Sequence, residues 1–155
     1  MSGGNVSTVA CVQCEVTAGA RTPPGGIVLE TERFLVHGLL APSPIAGWLV
    51  VAARRHVRWW WELSPEELSE LGPLAARVMK AQRAALGAEH AYALALGDVL
   101  HHMHLHVIPR YASTPKRLWG RGAWDATPEE MLKDEDHANA ARTLRDALAS
   151  ASSFL

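Results

Sequence analysis

The order of patterned segments predicts an α+β fold with an antiparallel sheet. Three observations carry it: five short β-prone runs, two Ser/Thr-Pro-Glu-Glu helix openings, and their succession as strands, helix, strands, helix. A right-handed parallel βαβ arrangement is the weaker alternative.

Residues 15–26, EVTAGARTPPGG, end in a strong turn signal and read as a loop. Two runs at 27–30 and 34–37 follow, separated by Thr31-Glu32-Arg33 as in a hairpin. A second loop, APSPIAG, delivers the chain to residues 48–51, a short apolar run suited to a buried strand. Ser64 can cap the next helix, Pro65 suits its first position and Glu67 can close a capping box. Leu68, Leu71, Ala75, Val78, Gln82 and Ala85 recur at helical steps, Gly72-Pro73 predicts a kink, and Gly87 ends the element. Residues 90–96 and 103–108 read as two more strands with Gly97-Asp98 as a tight turn between them. After a loop at 112–125, Thr127-Pro128-Glu129-Glu130 opens a last helix through Ala141, Leu144 and Leu148. No repeat or linker divides the chain, so residues 1–155 are expected to form one domain.

The chain has 155 residues, enough for one core that buries about two-thirds of the unfolded surface. Fifteen Lys and Arg against 16 Asp and Glu give a net charge of -1, which implies no bulk attraction to nucleic acid or an anionic membrane. No apolar run reaches the roughly 18–20 residues a membrane span needs, and MSGGNVSTVA lacks a basic leader; a cytoplasmic protein is expected. The only cysteines, Cys11 and Cys14, are too few for a secreted disulfide scaffold, which leaves a metal or redox role for them, or a pair of packed thiols.

Four of the eight histidines lie between His101 and His106, three in strict alternation. On a strand, His102, His104 and His106 share one face while His101, Met103, Leu105 and Val107 take the other. His101 is then a core or interface residue. A row of three buried imidazoles costs several hydrogen bonds as mere packing, so it points to chemistry. One reading is a metal held by all three, but neighbours on one face lie about 6.5–7 Å apart. The better fit is nucleophilic catalysis by a neutral ring, with a neighbour binding the anion under attack. Cys11-Val-Gln-Cys14 has the spacing for two thiolates on zinc, and His56 with the first histidine of the row could complete four ligands. Trp59-Trp60-Trp61 is expected to pack at the start of the long helix, with an interface or ligand contact as the alternative.

His102-Met-His104-Leu-His106-Val-Ile resembles the signature of the histidine triad family, and the likeness extends from Cys-Val-Gln-Cys through LVVAARRH at 49–56 to Gly-Ala-Trp-Asp at 122–125. The resemblance implies a five-stranded antiparallel sheet with a long helix and a C-terminal helix, joined to a second copy's sheet in a homodimer. It implies an enzyme that cleaves a nucleoside phosphate derivative at its α-phosphorus, with His104 as nucleophile and His106 on the phosphate. It also implies a structural zinc on Cys11, Cys14, His56 and His102, closing the segment at 1–26. The loop at 112–126 would approach the site with Lys116, Arg117 and Arg121, and Trp119 and Trp124 would wall the pocket in the same way.

Three departures bear on the substrate. Gly97-Asp98-Val99-Leu100 replaces the family's phosphate-binding Gly-Gln-Ser/Thr element, so Asp98 would turn away or meet a cationic part of the substrate. Leu40 stands where a ribose-binding polar residue is expected, with His37 or Ser43 as substitutes. Trp48 brings a large ring to a position of small polar contact. The rival reading is a zinc-stabilised homodimer that binds without turnover.

Overall fold

The computed structural model describes residues 10–151. Strands β1 (Ile27–Glu30), β2 (Phe34–Gly38), β3 (Leu49–Ala53), β4 (His90–Leu94) and β5 (His104–Arg110) form one sheet in the order β1-β2-β3-β5-β4. Each pairing is antiparallel, which excludes the parallel alternative. The first reversal is built by Thr31, whose Oγ1 accepts from the backbone N–H of Arg33 and of Phe34.

Strand parity sorts the two faces. Phe34, Val36, Leu49, Val51, Ala53, Leu105 and Val107 enter the main apolar core, against the long helix α2 (Pro65–Leu86) and the C-terminal helix α3 (Asp134–Ala151). On the opposite face His37 pairs Val50, which pairs His106, and one rung along Ala52 pairs His104. Register alone thus sets three histidines from two strands on one surface.

Helix α2 begins as expected: Ser64 Oγ accepts from the Glu67 N–H at 3.1 Å, and the Glu67 carboxylate accepts from the Ser64 N–H at 2.7 Å. It ends on Gly87 at φ 74°, where a side chain would be strained. The helix runs unbroken through Pro73; both Gly72 and Pro73 are exposed, so the lost donor falls on the solvent side. Its buried stripe contains Leu74 and Ala81, while Leu68 and Ala85 are exposed.

Four expectations change. Residues 12–17 form a short helix, α1 (Val12–Thr17), where Cys11 Sγ accepts from the Cys14 N–H at 3.5 Å. Residues 95–103 form a wide loop in place of a tight turn, because β4 stops at Leu94 and β5 starts at His104. The Thr127 capping box opens only a single turn, Pro128–Glu130; the Leu132 N–H then bonds the Ser43 carbonyl at 3.0 Å, and α3 starts at Asp134. His101 is exposed in the single chain, which removes the core reading and leaves the interface one. Among the described residues no helix is long and apolar enough to cross a membrane.

Candidate active site and metal centre

His102 lies just before β5, and its ring turns away from its two companions toward α1. Its Nδ1 is 3.4 Å from Cys11 Sγ, 3.6 Å from Cys14 Sγ and 3.1 Å from His56 Nδ1, and Cys14 Sγ is 3.2 Å from His56 Nδ1. Ligands on tetrahedral zinc at about 2.0–2.3 Å sit roughly 3.3–3.8 Å apart; the two sulfur contacts of His102 fall in that range and the two contacts of His56 lie just below it. The four ligand atoms all lie within 4.8 Å of one another, and they form the one such group among the described residues. His102 Nε2 donates to the Ala53 carbonyl at 2.6 Å, which leaves Nδ1 unprotonated in the neutral ring and fixes its direction. Burial and then the neighbouring Cys11 push the Cys14 thiol up to about 11, a resistance to ionisation that a divalent cation removes. The donor set fits structural zinc, and the chain carries a Cys2His2 zinc site that ties α1 to the start of β5. The three alternating histidines do not form a metal site of their own.

His104 and His106 stay together on the open face, each 8 % exposed. His104 Nδ1 is 2.6 Å from the backbone carbonyl of His102, which can only accept, so this nitrogen carries the proton and Nε2 of the neutral ring holds a lone pair. That Nε2 is 3.1 Å from His106 Nε2. His106 Nδ1 in turn accepts from the Trp48 indole N–H at 3.1 Å. Burial, then His104, lowers the His106 pKa to about 4, so this ring is neutral near pH 7. With Nδ1 accepting, its proton sits on Nε2. The pair therefore presents one lone pair and one N–H side by side.

These two rings line a cavity of about 440 Å³, together with Leu39, Leu40, Val50, Trp124 and Arg121. Gln13 and His37 contribute to its wall, both 1 % exposed. His37 Nδ1 donates to the Gly38 carbonyl at 2.7 Å, and burial lowers its pKa, so its Nε2 accepts. The Gln13 amide 3.0 Å away must then turn its NH2 toward that nitrogen. A second cavity of about 190 Å³ lies beside the first, lined by Arg58, Trp59, Trp60, Trp61, Leu96 and His104. His104 borders both.

The remaining sequence expectations divide. Asp98 is exposed and lines the larger cavity. Trp48 is 3 % exposed and lies behind His106, outside the cavity lining. Arg117 pairs with Glu130 away from the cavity. Trp119 packs under Arg110 at 4.2 Å and donates to the Thr114 carbonyl, also away from it. Of the late-loop residues it is Arg121 and Trp124 that reach the site, both on the turn Gly120–Asp125, with the buried Ala123 between them. Ser43 spends its hydroxyl on Ile45 in a turn, so of the two substitutes for a ribose contact only His37 reaches the cavity. The tryptophan run is partly solvent-facing, with Trp61 76 % exposed and stacked on Trp59 at 5.0 Å. Gln13 was hidden from sequence reasoning because α1 was; its spacing from the two cysteines gave no separate signal.

Comparison with known proteins agrees with this architecture. A zinc-bound histidine triad family protein from Mycobacterium smegmatis superposes with a TM-score of 0.73 at 23% identity, over 93% of this chain and 96% of that one. A hypothetical histidine triad nucleotide-binding protein from Sulfolobus tokodaii gives 0.72 at 20% identity, over 90% and 93%. A histidine triad protein from Marinobacter aquaeolei gives 0.64 at 22% identity, over 88% and 94%. At such identities the likeness is one of fold. No curated protein matches. The HIT domain family matches residues 22–113, which hold all five strands and the two open-face histidines, and the chain belongs to that family.

Proposed function

We propose that the protein is a nucleotide hydrolase or nucleotidyl transferase that cleaves a P–N, P–O or P–S bond at the α-phosphate of a nucleoside phosphate derivative. The observation that carries this reading is the His104 ring, whose Nδ1 proton is held by the His102 carbonyl while its Nε2 faces the cavity beside His106. His104 Nε2 forms a bond to phosphorus as the bond to the leaving group breaks; the leaving group departs with that electron pair and takes a proton from water. A nucleotidyl-histidine results. Water, or another acceptor hydroxyl, then attacks phosphorus, the N–P bond returns its electrons to Nε2, and the acceptor's proton is released. The His106 Nε2–H is placed to donate to the phosphate oxygens as charge builds on them.

The position of His104 between two cavities supports a substrate divided at the atom it attacks. The larger, lined by Leu39, Leu40, Val50 and Trp124, suits the flat apolar body of a nucleoside, and the smaller lies where a leaving portion could sit. Arg121, which pairs with Asp125 at 3.4 Å, is the one Arg or Lys on the wall of the larger cavity and the cation there that a phosphate could meet.

The test is a panel of adenylyl and guanylyl phosphoramidates, sulfates and polyphosphates, followed by intact mass and turnover. A covalent nucleotidyl adduct on His104 is expected, and His104→Asn should lower turnover by at least about 10³-fold with an unchanged circular dichroism spectrum. Absence of turnover and adduct across the panel would leave a zinc-stabilised binding protein.

A further inference from the structure

The sequence places a tryptophan at position 48, and the fold removes it from any contact with a ligand in the cavity: it is 3 % exposed and points its indole N–H at the back of His106. An indole N–H can only donate. The nitrogen it meets at 3.1 Å, His106 Nδ1, must therefore be unprotonated. Were the imidazole proton on Nδ1, two N–H groups would face each other at that distance in a buried site, and the ring would lose its only partner on that side. The proton is thereby driven to Nε2, the atom 3.1 Å from His104 Nε2.

The His106 ring is also packed against both tryptophans. Trp48 meets His106 edge-on with centroids 5.6 Å apart, Trp124 meets His106 at 5.0 Å and 90°, and Trp48 and Trp124 meet each other at 4.6 Å and 83°. His106 sits in the corner formed by two near-perpendicular indoles that also touch each other, one of which supplies the hydrogen bond. Register contributes as well: Val50 of β3 pairs His106 of β5, so Trp48, just before β3, sits diagonally behind the ring.

We propose that Trp48 is a positioning residue that sets the tautomer of His106, keeping its N–H on the cavity side where it can donate. The catalytic consequence rests on the phosphotransfer reading above; the tautomer itself does not. In the resting protein the His106 Nε2–H bonds the His104 lone pair, and when a phosphate enters, the same proton is available to its oxygens while the His104 lone pair is released for attack. Loss of the indole N–H would let the proton move to Nδ1, where it faces away from the reaction.

Long-range nitrogen–proton correlation on uniformly ¹⁵N-labelled, zinc-loaded protein at pH 7 tests this without any substrate. His106 should show a protonated Nε2 and a bare Nδ1, with a scalar coupling across the hydrogen bond between Trp48 Nε1 and His106 Nδ1. A proton on Nδ1, or no coupling across that bond, overturns the proposal. In Trp48→Phe, which keeps an aromatic ring and removes the donor, the tautomer should become mixed, and kcat for an adenylyl phosphoramidate should fall about tenfold or more while KM stays within about threefold. Trp48→His, with a ring N–H restored, should recover part of both. An unchanged Nε2–H tautomer in folded Trp48→Phe also overturns the proposal. Should Trp48→Phe fail to fold, the wild-type coupling decides alone. A wild-type protein with the expected tautomer and no turnover on the panel would sink the phosphotransfer reading and leave this one standing.

Discussion

At the scale of single residues, the site depends on histidines that the fold keeps neutral. Burial lowers the pKa of His37 and brings that of His106 down to about 4 from an ordinary 6.5. The unfolded chain binds protons at these rings below about 6.5 and the folded chain does not, so stability is complete above that pH and is lost as pH falls toward 4. His106 alone should remove about 2 kcal/mol between pH 7.5 and 5. Urea denaturation at the two pH values measures it, and His106→Gln, which cannot titrate, should show a smaller difference; equal differences would place the acid sensitivity elsewhere. The same scale shows what a one-dimensional reading misses. Trp119 and Trp124 look equivalent in sequence, yet only Trp124, on the 3-10 turn Gly120–Asp125, stands against His106, while Trp119 packs under Arg110.

At the scale of elements, α1 is a helix of six residues, too short to persist alone. Besides the buried Gln13 and Val16, what holds it is the pair of cysteines, one at its N-cap and one inside it, which a zinc ion would join to His56 and His102. Removal of zinc with a strong chelator should therefore lower Tm by at least about 5 °C. Metal analysis should find about one zinc per chain in wild type, a loss in Cys14→Ser and retention in His106→Asn. Retention of zinc in Cys14→Ser would refute the ligand set. The strands, the capped start of α2 and its Gly87 stop were legible because period, capping chemistry and left-handed glycine are local rules. The alternation at 102–106 likewise announced which rings share a face. The late loop, the start of α3 and the wide loop at 95–103 were not; the start of α3, for one, follows a distant contact, Leu132 with Ser43. Local signals overreached at Thr127, where only half of the capping box forms, the Thr127 N–H donating to the Glu130 carboxylate at 2.8 Å, and one turn follows.

At the scale of the whole molecule, an open five-stranded sheet has two edges, and they are not equally free. The β1 edge is covered: Arg145 of α3 donates to the Ile27 carbonyl at 2.8 Å and to the Gly25 carbonyl. The β4 edge is not; its residues are half-buried or exposed, with Ala93 exposed. A homodimer with a joined sheet, the assembly that the family resemblance implies, would therefore form through β4. Sedimentation of the zinc-loaded protein at micromolar concentration should give twice the chain mass. Ala93→Lys, which adds a charge to that edge without touching the histidines, should shift the population toward the single chain. A wild-type protein that sediments as one chain would remove the joined sheet altogether, whereas a dimer indifferent to Ala93→Lys would move the contact off β4. The outcome matters for the site because β4 pairs directly with β5, Leu94 opposite His106, so whatever holds the edge also steadies the strand that carries both open-face histidines.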